Sequence, residues 1–494
     1  MPQLHSTAPR GAEIAPRSVF LEGRFGRMFR NLPSFKPSDA DLRKLAESML
    51  EPPESDAGGA ENQLQSPPAS YPPPAPSPET NPFDNPDIPA GYTYLGQFID
   101  HDITFDPVSS LQRMNDPDGL HDFRTPRFDL DSVYGAGPNN DPYLYDQASG
   151  GLKLLLGNNP EGELDLPRNS QGRALTGDPR NDENIIVSQL HLLFLRFHNK
   201  VVDQLGGGTL SGDALFDEAQ RVVRWHYQWV VVHDFLRRIV GEEVIDDIIT
   251  ARPYVANPGV SVPLNEISLR FYHWEQQPFM PVEFSVAAYR FGHSMIRPDY
   301  RINTIVPNDI PIFVPAAHPG EFDDLRGFRP LPKNWTIDWS FFFETGDPTH
   351  LQHARRIDAK LAAPLVKLPG LHPAALAVRN LERGRALGLP AGQRVAAAMS
   401  IQVLTDDQLG AAAVATGFAG RVPLWFYVLK EAEVLNTGSR LGPVGGRIVA
   451  EVILGLLKGD PFSYINVAPS WTPDLPAATP GTFTIPDLVD FIAP

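Results

Sequence analysis

The run ENIIVSQLHLLFLRFHNKVVDQL, residues 183–205, constrains this chain more than any other segment. Its apolar residues fall on nearly every side of a 3.6-residue period, so it predicts a helix buried all round. Such a helix needs other elements packed about it, and the sequence supplies them. FDEAQRVVRWHYQWVVVHDFLRRIVG (216–241) predicts a second helix. PVEFSVAAYRFGHSMIR (281–297) predicts a third, entered at Pro281 and ended before Pro298. PAALAVRNLERGRALG (373–388) and GRIVAEVILGLLKG (446–459) carry the same period, and Asp39 to Leu50 form a shorter amphipathic segment. Strand signals are few and short. The predicted class is mostly α with long irregular loops, and so much irregular connection calls for something central to organise it.

Composition explains the loops. The 494 residues include 51 Pro and 40 Gly. Proline at about twice its usual frequency argues against a regular coiled coil or solenoid. The stretch EPPESDAGGAENQLQSPPASYPPPAPSPETNPFDNP reads as an extended linker. The expected division is an N-terminal arm over 1–50 carrying Arg24, Arg27 and Arg30, a Pro-rich linker over 51–90, and one large domain over 91–494. The net charge of −17 argues against nucleic-acid binding, which needs a basic footprint. Zero cysteine excludes disulfides, thiolate metal sites, Cys-bound iron–sulfur clusters and Cys nucleophiles. Any metal must then be held by His, carboxylate or carbonyl groups. No segment has the length and polarity of a signal peptide or a membrane span, so the expectation is a protein of the cytoplasm or one exported without a cleavable signal. Oligomeric state has no signature in the sequence.

Without Cys, histidine is the residue to follow, and three contexts stand out among the 13. In GQFIDHDITFDP, His101 stands between Asp100 and Asp102. Such a residue is a ligand, a base or a surface group. Gln97 lies one helical turn before His101 and Phe105 one turn after, so the three are expected on one face. In TGDPRNDENIIVSQLHLLFLRFHNK, Arg180 and Glu183 are spaced i, i+3 before the apolar helix, where a solvated first-turn pair is the bland alternative. His191 and His198 on that helix read first as hydrogen-bonded core histidines. In AAYRFGHSMIRPDY, His293 sits on an apolar segment beside Gly292, which would let a flat group approach the backbone closely.

Together these segments resemble the peroxidase–cyclooxygenase superfamily, the animal-type haem peroxidases, and are similar above all to bacterial members of the peroxidase branch. The resemblance spans most of 90–480 and rests on an ordered set: GQF-x-DHD, DLDSVYG, GD-x-R-x-xEN with LFLR-x-HN, RFGHSM, and RN-x-x-RGR-x-x-GLP. It implies a mostly α-helical fold with haem b between a distal and a proximal helix. It implies a peroxidase that reduces hydrogen peroxide through a ferryl intermediate and oxidises small anionic or aromatic donors. By resemblance His101 is the distal histidine, Arg180 the distal arginine and Gln97 the distal glutamine. His293 is the proximal iron ligand, Asn380 its hydrogen-bond partner, and Arg290 a partner of a haem propionate. Asp100 and Glu183 match the carboxylates that form ester bonds to haem. Asp102, Thr125, Asp129 and Asp131, with the carbonyl of Arg127, match a Ca²⁺ loop.

The chemistry agrees with these roles. A neutral imidazole can move the peroxide proton, and a guanidinium can stabilise charge on the departing oxygen. A hydrogen-bonded proximal imidazole tunes the iron, and hard oxygen ligands suit Ca²⁺. The sequence also departs from relatives. Asn184 stands where some members carry a Met that forms a sulfonium link to haem, so the expected donors are iodide, thiocyanate, bromide and phenols rather than chloride. Arg385-Ala386-Leu387-Gly388 replaces the usual Arg-Asp-His-Gly run, and Asp131 stands where many relatives have Ser. Fatty-acid oxygenases of the superfamily use a Tyr three residues before the proximal His, where this chain has Arg290; Tyr289 is one residue off, about 100° around a helix. The same residues could also belong to a haem-binding adhesive protein with little turnover, or to a non-haem metal hydrolase.

Overall fold

The computed structural model describes residues 23–51, 81–105, 121–122, 124–257, 260–275, 277–314, 323–346, 348–415, 418 and 420–493, and of 251–265 the backbone alone. The expected linker lies largely outside the described residues. The longer helices are α1 (Asp39–Glu47), α2 (Gly91–Ile103), α3 (Ile185–Leu205), α4 (Gly212–Trp229), α5 (Leu376–Ala386), α6 (Leu424–Asn436), α7 (Pro443–Gly459) and α8 (Ile485–Ile492). Most strands are two to four residues long; the longest pair, Ile249–Asn257 with Val260–Ile267, is one antiparallel hairpin. The mostly α class therefore holds. Among the described residues no helix is long and apolar enough to cross a membrane.

The all-round apolar α3 is the centre of the core, with α2, α4 and α8 packed on it. Asn184 caps it by accepting from Ile186 N. Phe194 stacks on Phe98 of α2 at 4.7 Å, and Phe197 stacks on Phe483 at 5.9 Å. The predicted second helix is longer than one regular element. After α4 the chain runs through a π-helical turn, Val230–Leu236, and a last α turn that ends at Gly241, where φ is 86°. Asp234, inside the π turn, accepts from Tyr92 Oη of α2 (2.7 Å) and from Ile485 N of α8 (2.9 Å). That turn thus joins the start of α2 to the C-terminal helix.

The third predicted helix is a correction. Residues 282–285 form one α turn, the chain breaks at Ala287 (φ −130°, ψ −76°), and Ala288–His293 form a 3₁₀ segment. One long-range and one local demand accompany the break. Buried Glu283 accepts from Met28 N (2.9 Å) and Phe29 N (3.1 Å), and Ser285 O accepts from Arg290 Nε (3.1 Å). The N-terminal segment that makes these contacts is packed into the fold. Gly23–Gly26 pairs with His121–Asp122 and Met280–Pro281, Arg27 Nη1 donates to Gly388 O (2.7 Å), and α1 lies on α5.

One core carboxylate gives a pH prediction. Glu431 on α6 is fully buried; Oε2 accepts from Val444 N (2.8 Å) and Gly445 N (3.2 Å) at the start of α7, and Oε1 has no hydrogen-bond partner among the described residues. Burial pushes this carboxyl up to about 7, against the two backbone donors. A pKa raised on folding gives stability that is complete below the unfolded value and lost as pH rises through the folded one. Wild type should therefore lose roughly 3 kcal/mol between about pH 4.5 and 7 from this group. Glu431→Gln should flatten that slope in urea titrations across the same window; an unchanged slope would remove Glu431 as its source.

Candidate functional site

The first wall of the site is built on α2. Gln97 and His101 do share a face, since Gln97 Nε2 donates to Glu183 Oε1 (2.5 Å) and His101 Nε2 lies 3.4 Å from the same oxygen. Phe105 does not continue that face. The helix ends at Ile103, Thr104 is extended (φ −138°, ψ 135°), and the Phe105 ring lies under the Arg180 guanidinium at 4.6 Å. Thr104 Oγ1 donates to Asp100 O and Oδ1, both at 3.1 Å.

Arg180 and Glu183 are not in the first turn of α3. Arg180 lies in a 3₁₀ turn, Pro179–Asp182, and Glu183 follows it, just before the Asn184 cap. Asp178 starts that turn by accepting from Arg180 N (2.8 Å), and Pro179 suits its first position. The Arg180 side chain donates to Asp178 Oδ2 (2.8 Å), His101 O (3.2 Å) and Thr104 O (2.5 Å), with Nη1 3.9 Å from Asp100 Oδ2. The His101 imidazole and the Arg180 guanidinium are therefore held on one wall. Burial works against the Glu183 charge, yet the hydrogen bonds and charges of His101, Arg180 and Gln97 hold its carboxyl below the ordinary range.

The second wall is the 3₁₀ segment. His293 Nδ1 is 2.8 Å from Asn380 Nδ2, and Asn380 Oδ1 accepts from Arg290 Nη1 (3.0 Å). Burial, with the Arg290 charge, pushes the His293 imidazole down to about 3, so it is neutral. Arg290 thus points the amide nitrogen of Asn380 at His293. For His293 Nδ1 to donate instead, Arg290 must release the amide oxygen. A cleft of about 160 Å³ separates the two walls, lined by Asp100, Thr104, Phe105 and Arg180 on one side and by Ser285, Arg290 and Arg383 on the other.

Beside the first wall, Asp102, Asp129 and Asp131 bring carboxylate oxygens within 4.8 Å of one another. Thr125 Oγ1 donates to Asp129 Oδ2 (2.9 Å), which brings it into the cluster. Arg127 is in the same loop. Burial and neighbouring carboxylates push Asp102 well up and Asp131 up to about 7. The adjacent Arg124 reaches Asp131 Oδ1 at 3.3 Å.

Four residues of the site escaped the sequence reading. Arg383 lies in the RN-x-x-RGR run and Asp178 in GD-x-R, so both were within reach. Arg124 immediately precedes Thr125 and balances the extra charge of Asp131. Asn181 bridges His101 and His191, and its only signal was its place after Arg180.

The animal haem peroxidase family model matches residues 121–408. Thyroid peroxidase of Canis lupus familiaris is 26% identical over 436 residues, covering 81% of this chain and 43% of that protein. Peroxidasin of Drosophila melanogaster is 24% identical over 61% of this chain and 19% of its own length. The chain thus spans less than half of these relatives. Among solved structures, peroxidase A from Dictyostelium discoideum superposes with a TM-score of 0.60 at 15% identity, over 91% of this chain and 90% of that one. A fatty acid alpha-dioxygenase of Oryza sativa gives 0.53 at 16% identity, over 78% and 72%. Those two share the fold. With the family model matched over more than half its length, this chain belongs to the animal haem peroxidase family.

Proposed function

We propose that this chain is a haem peroxidase that reduces hydrogen peroxide and oxidises iodide, thiocyanate, bromide and phenols. One observation carries the reading. The cleft has His101 and Arg180 on the elements of one wall and the Asn380-bonded His293 on the elements of the other. The residues fit a haem. Among the described residues, a Cβ on Gly292 meets no atom within 4 Å beyond its own chain neighbours and local backbone, which leaves space for a flat ring beside His293. His293 would hold the iron once the Asn380 amide turns its oxygen to Nδ1, which frees the Nε2 lone pair; Arg290 and Arg383 would supply cations for propionates, and Asp100 and Glu183 would be the carboxylates for ester links. Bound haem supplies the iron that takes up peroxide and the oxidising equivalents that donors consume.

The chain's own side chains do the rest. His101 Nε2 accepts the first peroxide proton and returns it to the departing oxygen. Arg180 stays charged and places positive charge beside that oxygen. Gln97 holds Glu183 in place and leaves His101 as the mobile-proton group. Asn380 fixes the ring of His293. The test is steady-state oxidation of iodide, bromide, chloride, thiocyanate and a phenol by haem-loaded protein. Peroxide-dependent turnover of iodide, bromide, thiocyanate and the phenol without chloride supports the reading, and no turnover of any donor sinks it. Against the oxygenase reading, no tyrosine lines the cleft among the described residues, and Tyr289 Oη is committed to Gly96 O at 3.2 Å. Rapid oxygen uptake with an unsaturated fatty acid would reverse that choice.

Two further results are expected. After peroxide treatment, haem should resist acid–acetone extraction from wild type and be released from the Asp100→Ala, Glu183→Ala double variant; free extraction from wild type would refute ester links. The carboxylate cluster fits Ca²⁺, with Asp102, Thr125, Asp129, Asp131 and the Arg127 carbonyl as ligands. Stripped of an ion, the cluster takes up protons. The raised pKa of Asp131 then makes stability fall as pH rises from about 4 through about 7. A Ca²⁺ chelator should lower the melting temperature more at pH 8 than at pH 5.5; an equal shift at both would argue against an ion at these carboxylates.

A further inference from the structure

We propose that Asn181, backed by His191, is a positioning residue that keeps the hydrogen of His101 on Nδ1 and turns Nε2 toward Glu183; this rests on the peroxidase reading and deepens it. His101 is buried, and its Nδ1 lies 2.9 Å from Asn181 Oδ1. Asn181 is fully buried, and its Nδ2 lies 2.9 Å from His191 Nδ1. An amide oxygen only accepts and an amide nitrogen only donates. With this orientation Nδ1 keeps its hydrogen whether or not the ring is charged, and Nε2, 3.4 Å from Glu183 Oε1, is the nitrogen that gains and gives up a proton.

His191 holds the amide in that orientation. Its Nδ1 is the acceptor for Asn181 Nδ2, so its own hydrogen sits on Nε2, which has no hydrogen-bond partner among the described residues. The His191 ring meets Phe98 edge to face (6.3 Å, 75°), surroundings that suit an N–H better than a bare lone pair. Turning the amide over would reverse both imidazoles and leave His101 with Nε2–H, unable to accept a proton. Asn181 also belongs to the turn that carries Arg180. The same short segment therefore sets the position of the guanidinium and the tautomer of the base.

Two measurements test this. The first uses haem-free protein labelled with ¹⁵N-histidine and reads the His101 tautomer by long-range ¹H–¹⁵N correlation. Nδ1–H is expected in wild type; Nε2–H overturns the proposal. In His191→Phe the amide loses its second anchor, and an Nε2–H population of His101 should emerge; a pure Nδ1–H signal there would overturn the part given to His191. The second measures association of cyanide with haem-loaded protein, because hydrogen cyanide must lose its proton to a base before the anion binds. Asn181→Leu should slow association at least tenfold. Asn181→Asp keeps an acceptor for Nδ1–H and should stay within threefold of wild type. A loss below tenfold in Asn181→Leu, or equal losses in both variants, overturns the proposal. Should Asn181→Leu fail to fold, the tautomer measurement on wild type and His191→Phe decides. Failure of wild type to take up haem would sink the peroxidase reading itself, while the haem-free tautomer result would still report on Asn181.

Discussion

Replacing His101 with Ala is expected to slow the reaction of the haem-loaded protein with hydrogen peroxide by about 10²–10⁴-fold, the usual contribution of a positioned acid–base group. Its neighbours cannot replace it. Arg180 has no lone pair to offer, and the amide of Gln97 is a poor base. Glu183 is the nearest carboxylate, but its Oε1 already accepts from Gln97 Nε2. Haem binding should survive, because His293, Asn380 and Arg290 stand on the other wall. The truncation leaves Asn181 Oδ1 without its donor, at a cost of about 1–3 kcal/mol, so circular dichroism should accompany the kinetics. The measurement is stopped-flow mixing with peroxide at matched Soret absorbance. An unchanged rate would mean that another group moves the proton, and the assignment of His101 would fall.

How much of this was legible beforehand depends on the range over which each signal acts. The core helix α3 was readable because its pattern admits no exposed face, and its cap is the local Asn184 side chain. The motif residues His101, Arg180, His293 and Asn380 were readable one by one, and the fold puts Arg180 in the cleft and the other three on or beside the elements that wall it. The break at Ala287 was not readable, since Glu283 answers to Met28 and Phe29 some 250 residues away in the chain. Periodicity sees only neighbours. The exit of Phe105 from its expected face was missed for a similar reason, because its ring is held by Arg180 across 75 residues. The Asn181 bridge was the hardest of all: an Asn between Arg180 and Asp182 looks like an ordinary turn residue until α2 and α3 place an imidazole at each end of its amide.

Asp178→Ala is expected to be the most disruptive single change on the first wall, because two guanidiniums depend on one fully buried carboxylate. Asp178 accepts from Arg124 Nε (2.9 Å) and Nη2 (2.7 Å), and from Arg180 N and Nη2 (both 2.8 Å). Burial alone would raise its pKa, but the hydrogen bonds and charges of Arg180 and Arg124 outweigh burial and hold the carboxyl well below the ordinary range. A depressed pKa gives stability that is complete above about pH 4 and lost only in stronger acid. Removing one partner of such a buried set typically costs about 3–5 kcal/mol, since the charges left behind stay desolvated. Function should suffer in a second way. Arg124 also reaches Asp131, so Asp178 is the joint in a line from the carboxylate cluster to Arg180. Asp102 gives the cluster a separate hold on His101, its neighbour in α2. Chelating the Ca²⁺ proposed for this cluster should therefore slow the peroxide reaction of wild type through both residues. In Asp178→Asn, which keeps the size of the side chain, the route to Arg180 is already broken, and chelation should slow the reaction by a smaller factor than in wild type. Equal factors in the two proteins would show that the line through Arg124 carries nothing, and that the cluster acts through α2 alone.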